Sequence, residues 1–158
     1  MATPGPGGAE ASTLREYHRV LVGLSWALIA GVAAMAGGAW FLVAAELFQP
    51  FLGFTTPVRI GIAVFLVLLL LSAGPLKRAV GGDGPPSDPT EALSRVQTRV
   101  MVGMAVRDAV GAMAAVLILL SGDLLVGGSA AVATLVAMVS DLPGLDDLEE
   151  AVRQVQGA

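Results

Sequence analysis

The stretch that decides the fold runs from Val20 to Ala45 and reads VLVGLSWALIAGVAAMAGGAWFLVAA. It contains no charged residue, and at about 1.5 Å per residue it would form a helix of roughly 39 Å. The hydrocarbon core of a bilayer is roughly 30 Å thick, so a helix of this length can cross it. A buried helix of a soluble protein would be shorter and would carry a polar stripe, which this stretch lacks. The sequence therefore predicts an integral membrane protein.

The composition supports the same class and excludes several kinds of function. Hydrophobic residues make up 55% of the 158 residues, charged residues make up 14%, and the mean hydropathy is +0.77. The chain has no Cys and one His, which excludes disulfides, iron–sulfur clusters, thiolate metal sites and bis-histidine haem within one chain. We therefore expect no cofactor and no metal. The net charge of -4 argues against a nucleic-acid partner, which would favour a basic surface.

Three more apolar segments follow the first and complete the predicted fold. The second ends before Lys77 and Arg78, and the third begins as an amphipathic helix that becomes fully apolar from Ala109. Ser121-Gly122-Asp123 predicts a turn before the last segment, because Gly and Asp favour turns. The fold class predicted here is an all-α integral membrane protein with four transmembrane helices, at residues 20–45, 58–76, 99–120 and 124–140.

These spans form one predicted membrane domain over residues 13–140, and the segments outside the spans differ in composition. Residues 1–12 are mostly Gly, Pro and Ala, which predicts a disordered cytoplasmic tail. Residues 79–88 are rich in Gly and Pro, which predicts a flexible linker. Residues 141–158 combine apolar and acidic positions at helical spacing. This tail should form a short amphipathic helix that packs on the protein itself, because its acidic face disfavours anionic lipid.

Three signals predict where helices begin. The segment Thr13–Glu16 has the S/T-x-x-E form of a capping box. Thr56 followed by Pro57 is typical of an N-cap and a first helical residue. The segment Asp88–Glu91 supplies a capping Asp, a Pro at the first helical position and an acidic residue at the third.

The first span has a second interpretation as a cleaved signal peptide. Arg15 and Arg19 precede the apolar run, and the segment Ala34–Ala36 has the A-x-A form of a cleavage site. However, the apolar run continues to Ala45, and the leader carries Glu residues as well as Arg. We therefore expect an uncleaved first span.

Two segments that lie 80 residues apart resemble each other. Residues 19–34 and 99–114 share Arg, Val, Val, Gly, Gly and Ala in register, and each segment precedes a second span that ends in Ser-x-x-Pro. One interpretation is a repeated helical hairpin, whose copies would be related by an axis along the membrane normal. The other is chance similarity, because the chain is rich in Ala, Val and Gly. The sequence leaves both open.

The basic residues predict how the chain is oriented. They lie before the first span, between the second and third spans, and in the C-terminal tail. By the positive-inside rule, both termini and the linker are then cytoplasmic. Eight Arg against one Lys indicates a GC-rich prokaryotic genome, so we expect a multi-pass protein of the prokaryotic cell (inner) membrane. The basic residues on which this orientation rests are Arg15, Arg19, Lys77, Arg78, Arg95, Arg99 and Arg153.

Small residues recur every four positions along the first span, in two rows. Such rows let helices approach closely in lipid, where packing and not water exclusion drives association. We interpret them as helix-packing surfaces, and the third span carries a similar pair. The alternative is that Gly and Ala are simply frequent in this chain. The residues of this interpretation are Gly23, Ala27 and Gly31; Ala30, Ala34 and Gly38; and Gly111 and Ala115.

Four ionisable residues lie in or near the predicted spans, where charge is costly and therefore often functional. Together the four form a possible ion or proton site. Glu46 and Asp123 are expected at the outer surface, where a structural role is the favoured interpretation. Arg107 and Asp108 are adjacent, so on a helix they point about 100° apart and cannot both face lipid. We expect Asp108 to face the interior as an ion or proton site. The alternative is that the third helix enters the membrane only near Ala109 and both residues are interfacial.

No catalytic motif is present, so we do not expect an enzyme. Two functions fit the sequence. The first is an accessory or scaffold subunit of a larger membrane complex, whose partners are the lipid bilayer and other membrane subunits or further copies of the chain. The second is a small oligomeric transporter or channel that uses an intramembrane carboxylate.

Overall fold

A computed structural model describes residues 6–80 and 86–156, and the regular secondary structure in these ranges is entirely helical. The predicted spans correspond to the first four helices, and the predicted amphipathic tail corresponds to the fifth. Residues 1–5 of the predicted tail and residues 81–85 of the predicted linker lie outside the described ranges. The helices are α1 (Pro6–Ala44), α2 (Thr56–Val80), α3 (Pro89–Ser121), α4 (Leu124–Ser140) and α5 (Leu145–Gln156).

Helix α3 is the centre of the bundle and contacts each of the other four helices. It can do so because small residues lie on its buried face. Gly111 is buried so close to the Val32 side chain of α1 that an added Cβ would clash with it. Ala114 and Ala115 are also buried, in a cluster that includes residues of α1 and α4. Helices α1 and α2, by contrast, share no contact within the described residues.

Contacts between loops and helices define two ends of the bundle. At one end, the Tyr17 hydroxyl of α1 donates to Gln97 Oε1 of α3 (2.5 Å), and His18 Nε2 lies 3.0 Å from the Pro143 carbonyl oxygen. At the opposite end, the amides of Phe51 and Leu52 donate to the Leu120 carbonyl. We call the first the basic end, because it carries the residues Arg15, Arg19, Lys77, Arg78, Arg95 and Arg99.

The helix starts agree with two of the three sequence signals. Asp88 caps α3, since its carboxylate accepts from the amide of Glu91 (2.7 Å). Helix α2 begins at Thr56, one residue earlier than the Thr-Pro signal predicts, and Thr55 accepts its first backbone hydrogen bond. The capping box at Thr13 is wrong, because α1 begins at Pro6 and Thr13 lies inside the helix. Ala9, Glu10 and Ala11 are good helix formers, and Pro fits a first turn, so the helix extends past the predicted start.

Three helices are long and apolar enough to cross a membrane, and α4 together with α5 would make a fourth. Helix α4 alone has 17 residues, which gives about 26 Å at 1.5 Å per residue. The axis bends by 49° between α4 and α5. Helix α5 is amphipathic: it buries Leu148, exposes its acidic residues, and packs on α3 and α1.

The helix contacts bear on the repeat predicted from the sequence. Helices α1 and α3 run parallel, and residues about 80 positions apart meet, as Tyr17 meets Gln97 and Val32 meets Gly111. The two hairpins nevertheless differ. Helices α3 and α4 pack along each other, whereas α1 and α2 have no mutual contact in the part of the chain described. The folded hairpins are therefore not equivalent, and duplication remains a prediction from sequence.

Candidate functional site

A charged cluster lies on the buried face of α3, at the basic end. The guanidinium of Arg107, which is 9% exposed, forms an ion pair with the Asp141 carboxylate. The ammonium of Lys77 contacts the same carboxylate oxygen. The three residues come from α3, from the residue after α4, and from the end of α2. The cluster therefore ties three helices together.

A glycine makes this cluster possible. The Lys77 side chain crosses α3 at Gly103, where an added Cβ would overlap its terminal carbons. Gly103 is buried and lies four residues before Arg107, on the same face of the helix. A larger residue at this position would require the flexible end of the Lys77 side chain to shift.

The charges of the cluster do not cancel, because two cations share one carboxylate. Arg107 Nε is also buried without a hydrogen-bond partner among the described residues. An ion pair in a low-dielectric interior is favourable only when its geometry offsets the loss of hydration, so each member depends on the others. Removing the Asp141 carboxylate would leave the cations of Lys77 and Arg107 close together at the end of α4.

The cluster places a second charged residue of the third span in the interior. Arg107 is buried, whereas Asp108 is half-buried. The buried face of α3 includes Met104, Gly111 and Ala115, which share the helical row of Asp108, so Asp108 lies at the edge of this face. Arg107 also lies level with the ends of α2 and α4, which supply Lys77 and Asp141 to the cluster. The interpretation that both Arg107 and Asp108 are interfacial stays a prediction.

Asp108 is half-buried and borders the outward face of α3, which is exposed at Ala105 and Ala109. No hydrogen bond or ion pair links Asp108 to another residue in the described ranges. The absence of contact between α1 and α2 leaves this face of α3 uncovered. The carboxylate is therefore a separate feature from the Arg107 cluster.

The other two predicted charged residues lie at the opposite end of the bundle. Asp123 caps α4 by accepting from the Val126 amide (3.1 Å), and its carboxylate lies 3.4 Å from Arg59 Nε of α2. Glu46 is exposed just after α1 and adopts a left-handed backbone with φ of 57°. Both residues thus occupy turns between helices, where a structural role accounts for them.

The predicted small-residue rows of α1 lie on the side of the helix that faces away from the bundle. The buried face of α1 carries Leu21, Ser25, Ile29, Val32 and Ala36. A Cβ added at three of the row glycines would meet no atom within 4 Å. These residues thus make no close contact within the chain, in contrast to Gly111 and Ala115 of α3. The exposed row residues are Gly23, Ala27, Ala30, Gly31, Ala34 and Gly38.

Sequence reasoning missed Asp141 as the partner of Arg107 and Lys77 as the second cation on Asp141. Both were visible only as residues that end a span, which is an ordinary position for a charge. One signal could have found them, since α2 and α4 run antiparallel to α3 and their ends must come level with its first half. Within the described residues, no group of His, Asp and Glu could hold a metal ion.

The arrangement defines an all-helical chain with three or four helices able to span a membrane and a charged cluster where two of them end. Comparison of the chain with protein-family models, with curated proteins and with solved structures gives no match. Any functional proposal must therefore be argued from the surfaces and charges of the chain itself.

Proposed function

We propose that this chain is a non-catalytic subunit of a larger membrane assembly, held to its partners through α1. The observation that carries the proposal is the outward position of the small-residue face of α1. Gly23, Gly31 and Gly38 have open space where a side chain would stand. In lipid, such a face offers close backbone approach to another helix.

The charged cluster supports the same function. Arg107 is paired with Asp141 inside the bundle, so its charge serves helix packing. Charges that line a transport path face water or substrate, and this one is 9% exposed. A scaffold role therefore accounts for both the cluster and the open face of α1.

The test is a matched set of Gly→Leu variants. Gly31→Leu should release copurifying membrane proteins, or reduce the oligomer size, because the added side chain holds two backbones apart. The free energy of unfolding of the isolated chain in detergent should stay the same or rise by up to about 1 kcal/mol, since Gly is a poor helix former. Copurification from native membranes and size-exclusion chromatography measure the two effects.

Two further glycines serve as controls. Gly61 on α2 also has open space around it, so Gly61→Leu should leave assembly unchanged and should affect the free energy of unfolding as Gly31→Leu does. Gly111 lies against Val32, so Gly111→Leu should lower the melting temperature. If Gly31→Leu keeps all of its partners, this face of α1 contacts lipid and the proposal fails.

A second candidate function is ion or proton transport, and Asp108 is the observation that favours it. A half-buried carboxylate without a partner in the described residues can exchange protons or cations. Asp108→Asn should then abolish flux in proteoliposomes while the protein still folds, because Asn keeps the shape and cannot titrate. Asp146→Asn, on the exposed face of α5, is the control. Wild-type liposomes without pH-dependent flux would exclude this candidate.

A further inference from the structure

Two polar atoms in the interior of the bundle have no hydrogen-bond partner among the described residues. They are Ser25 Oγ of α1 and Arg107 Nε of α3, and both atoms are buried. The hydroxyls of Thr134 and Ser140, by contrast, each donate to the carbonyl four residues earlier in α4. A buried donor without an acceptor costs free energy. Since a hydroxyl and a guanidinium nitrogen can both donate, one acceptor could satisfy both atoms if they lie at the same level.

The two atoms do lie in one layer of the bundle, where α1, α3 and α4 meet. Ile29 of α1 and Met138 of α4 pack in the same apolar cluster. Ser25 lies one turn before Ile29, and Asp141 lies about one turn after Met138. Because α1 and α4 run antiparallel, both turns lead towards the basic end. Arg107 pairs with Asp141, so its guanidinium reaches the level of Ser25.

The charged cluster gives this layer a net positive charge. Lys77 and Arg107 contact the same oxygen of the Asp141 carboxylate, so two cations face one anion. An uncompensated charge in a low-dielectric interior is costly. A water molecule could accept the two hydrogen bonds, but it would leave this charge uncompensated. An anion would satisfy both donors and balance the charge.

An open cavity of about 450 Å³ lies beside the cluster at the basic end. Lys77 and Asp141 line this cavity, and their side chains are 24% and 27% exposed. A small ion can therefore reach the cluster from the basic end, although Arg107 itself is nearly buried.

The other charged residues at the cavity add no net charge. Arg99 is a further cation of the lining, and Asp147 and Glu150 are its further carboxylates. Glu150 forms an ion pair with Arg153 (3.9 Å) and makes another interaction, while Asp147 accepts from the Gly144 amide (2.9 Å). Two cations thus accompany these two carboxylates, and the uncompensated charge is the one in the cluster. The carboxylates repel a multiply charged anion more strongly than a monovalent one.

We propose that this layer binds one chloride ion, which accepts hydrogen bonds from Ser25 Oγ and Arg107 Nε and balances the second cation on Asp141. A monatomic, monovalent anion fits because the two donors are enclosed and carboxylates line the approach. The ion would complete the packing of α1 on α3 and α4. The site is independent of the partners proposed for α1, because Ser25 lies on the buried face of that helix.

The experiment is thermal unfolding of the full chain in a neutral detergent, with chloride exchanged for gluconate at constant ionic strength. The melting temperature should rise with the chloride concentration and then level off, because a ligand that binds the folded state stabilises it. Retention of radioactive chloride by the same protein should saturate at one ion per chain.

Variants test the two donors. Ser25→Ala should raise the half-saturating chloride concentration by roughly tenfold or more, as expected for a lost hydrogen bond to a charged group. In gluconate, the same variant should keep or raise the melting temperature, since it removes a hydroxyl that has no partner. Arg107→Met should abolish the chloride response. Two controls should keep it: Ser129→Ala, whose hydroxyl donates within α4, and Arg78→Gln, which changes an exposed cation outside the cavity.

Three outcomes would overturn the inference. The first is an equal melting temperature in the two salts without retention of radioactive chloride. The second is a Ser25→Ala variant that changes the melting temperature equally in chloride and gluconate, because the hydroxyl would then donate to no anion. The third is an undiminished chloride response in Arg107→Met, which would place the binding of chloride elsewhere.

Discussion

Arg107 is a buried cation that depends on a carboxylate from another part of the chain for charge compensation. It is nearly buried, and its carboxylate partner Asp141 lies at the end of a different helix. Burial of a charge is tolerated when a partner of opposite sign is close. Replacing Asp141 and replacing Arg107 should therefore have very different effects on stability.

Asp141→Ala should lower the free energy of unfolding by about 3–5 kcal/mol, because it leaves the buried guanidinium without its carboxylate. Arg107→Met should cost far less, since it removes the buried charge and keeps an apolar chain of similar length, while Asp141 keeps Lys77. Unfolding of detergent-solubilised protein, followed by circular dichroism, measures both. If both variants lower the free energy of unfolding equally, the unpaired guanidinium of Arg107 is not the cause of the lost stability.

The same residues explain why sequence reasoning chose Asp108. Two adjacent charges on a helix point about 100° apart, so the extent to which each is buried depends on which faces meet other helices. That face follows the small residues Gly103, Gly111 and Ala114, which bring other elements close to α3. In a chain where Gly and Ala are frequent on every face, this stripe does not stand out in the sequence.

At the level of elements, the sequence predicts which segments are helices far better than how they pack. Uncharged runs bounded by Gly, Pro and charged residues determine α1 to α4, since a long apolar segment has few other structures open to it. The turn at Gly122, which has φ of 67° and ends α3, is predicted by the Gly and Asp residues between two apolar runs. Helix starts are less certain, as the early beginning of α1 at Pro6 illustrates.

Packing is harder to predict because lipid-facing and protein-facing surfaces have similar composition. Helix α2 is rich in Leu and Val, yet most of its residues are exposed, and Leu66 and Ala73 are its buried positions. Helix α3 carries more charge than α2 and is nevertheless the most enclosed helix of the bundle. The hydropathy of these helices therefore does not predict which of them is most buried.

The distribution of charge over the whole molecule supports a single orientation. The six cations that define the basic end and Arg107 of the charged cluster lie on one side of the bundle, whereas Arg59 at the opposite end is close to Asp123. The positive-inside rule then predicts a cytoplasmic basic end. This orientation would put the charged cluster and α5 on the same side of the membrane.

The orientation can be tested with single cysteines, because the natural chain has none. Ala79→Cys lies at the basic end and Gly53→Cys at the opposite end, and both positions are exposed. A membrane-impermeant thiol reagent applied to intact cells should label Cys at position 53 and leave position 79 unlabelled, until the membrane is opened. The reverse pattern would invert the predicted orientation while keeping the fold, and labelling of both positions in intact cells would contradict a bundle that crosses the membrane.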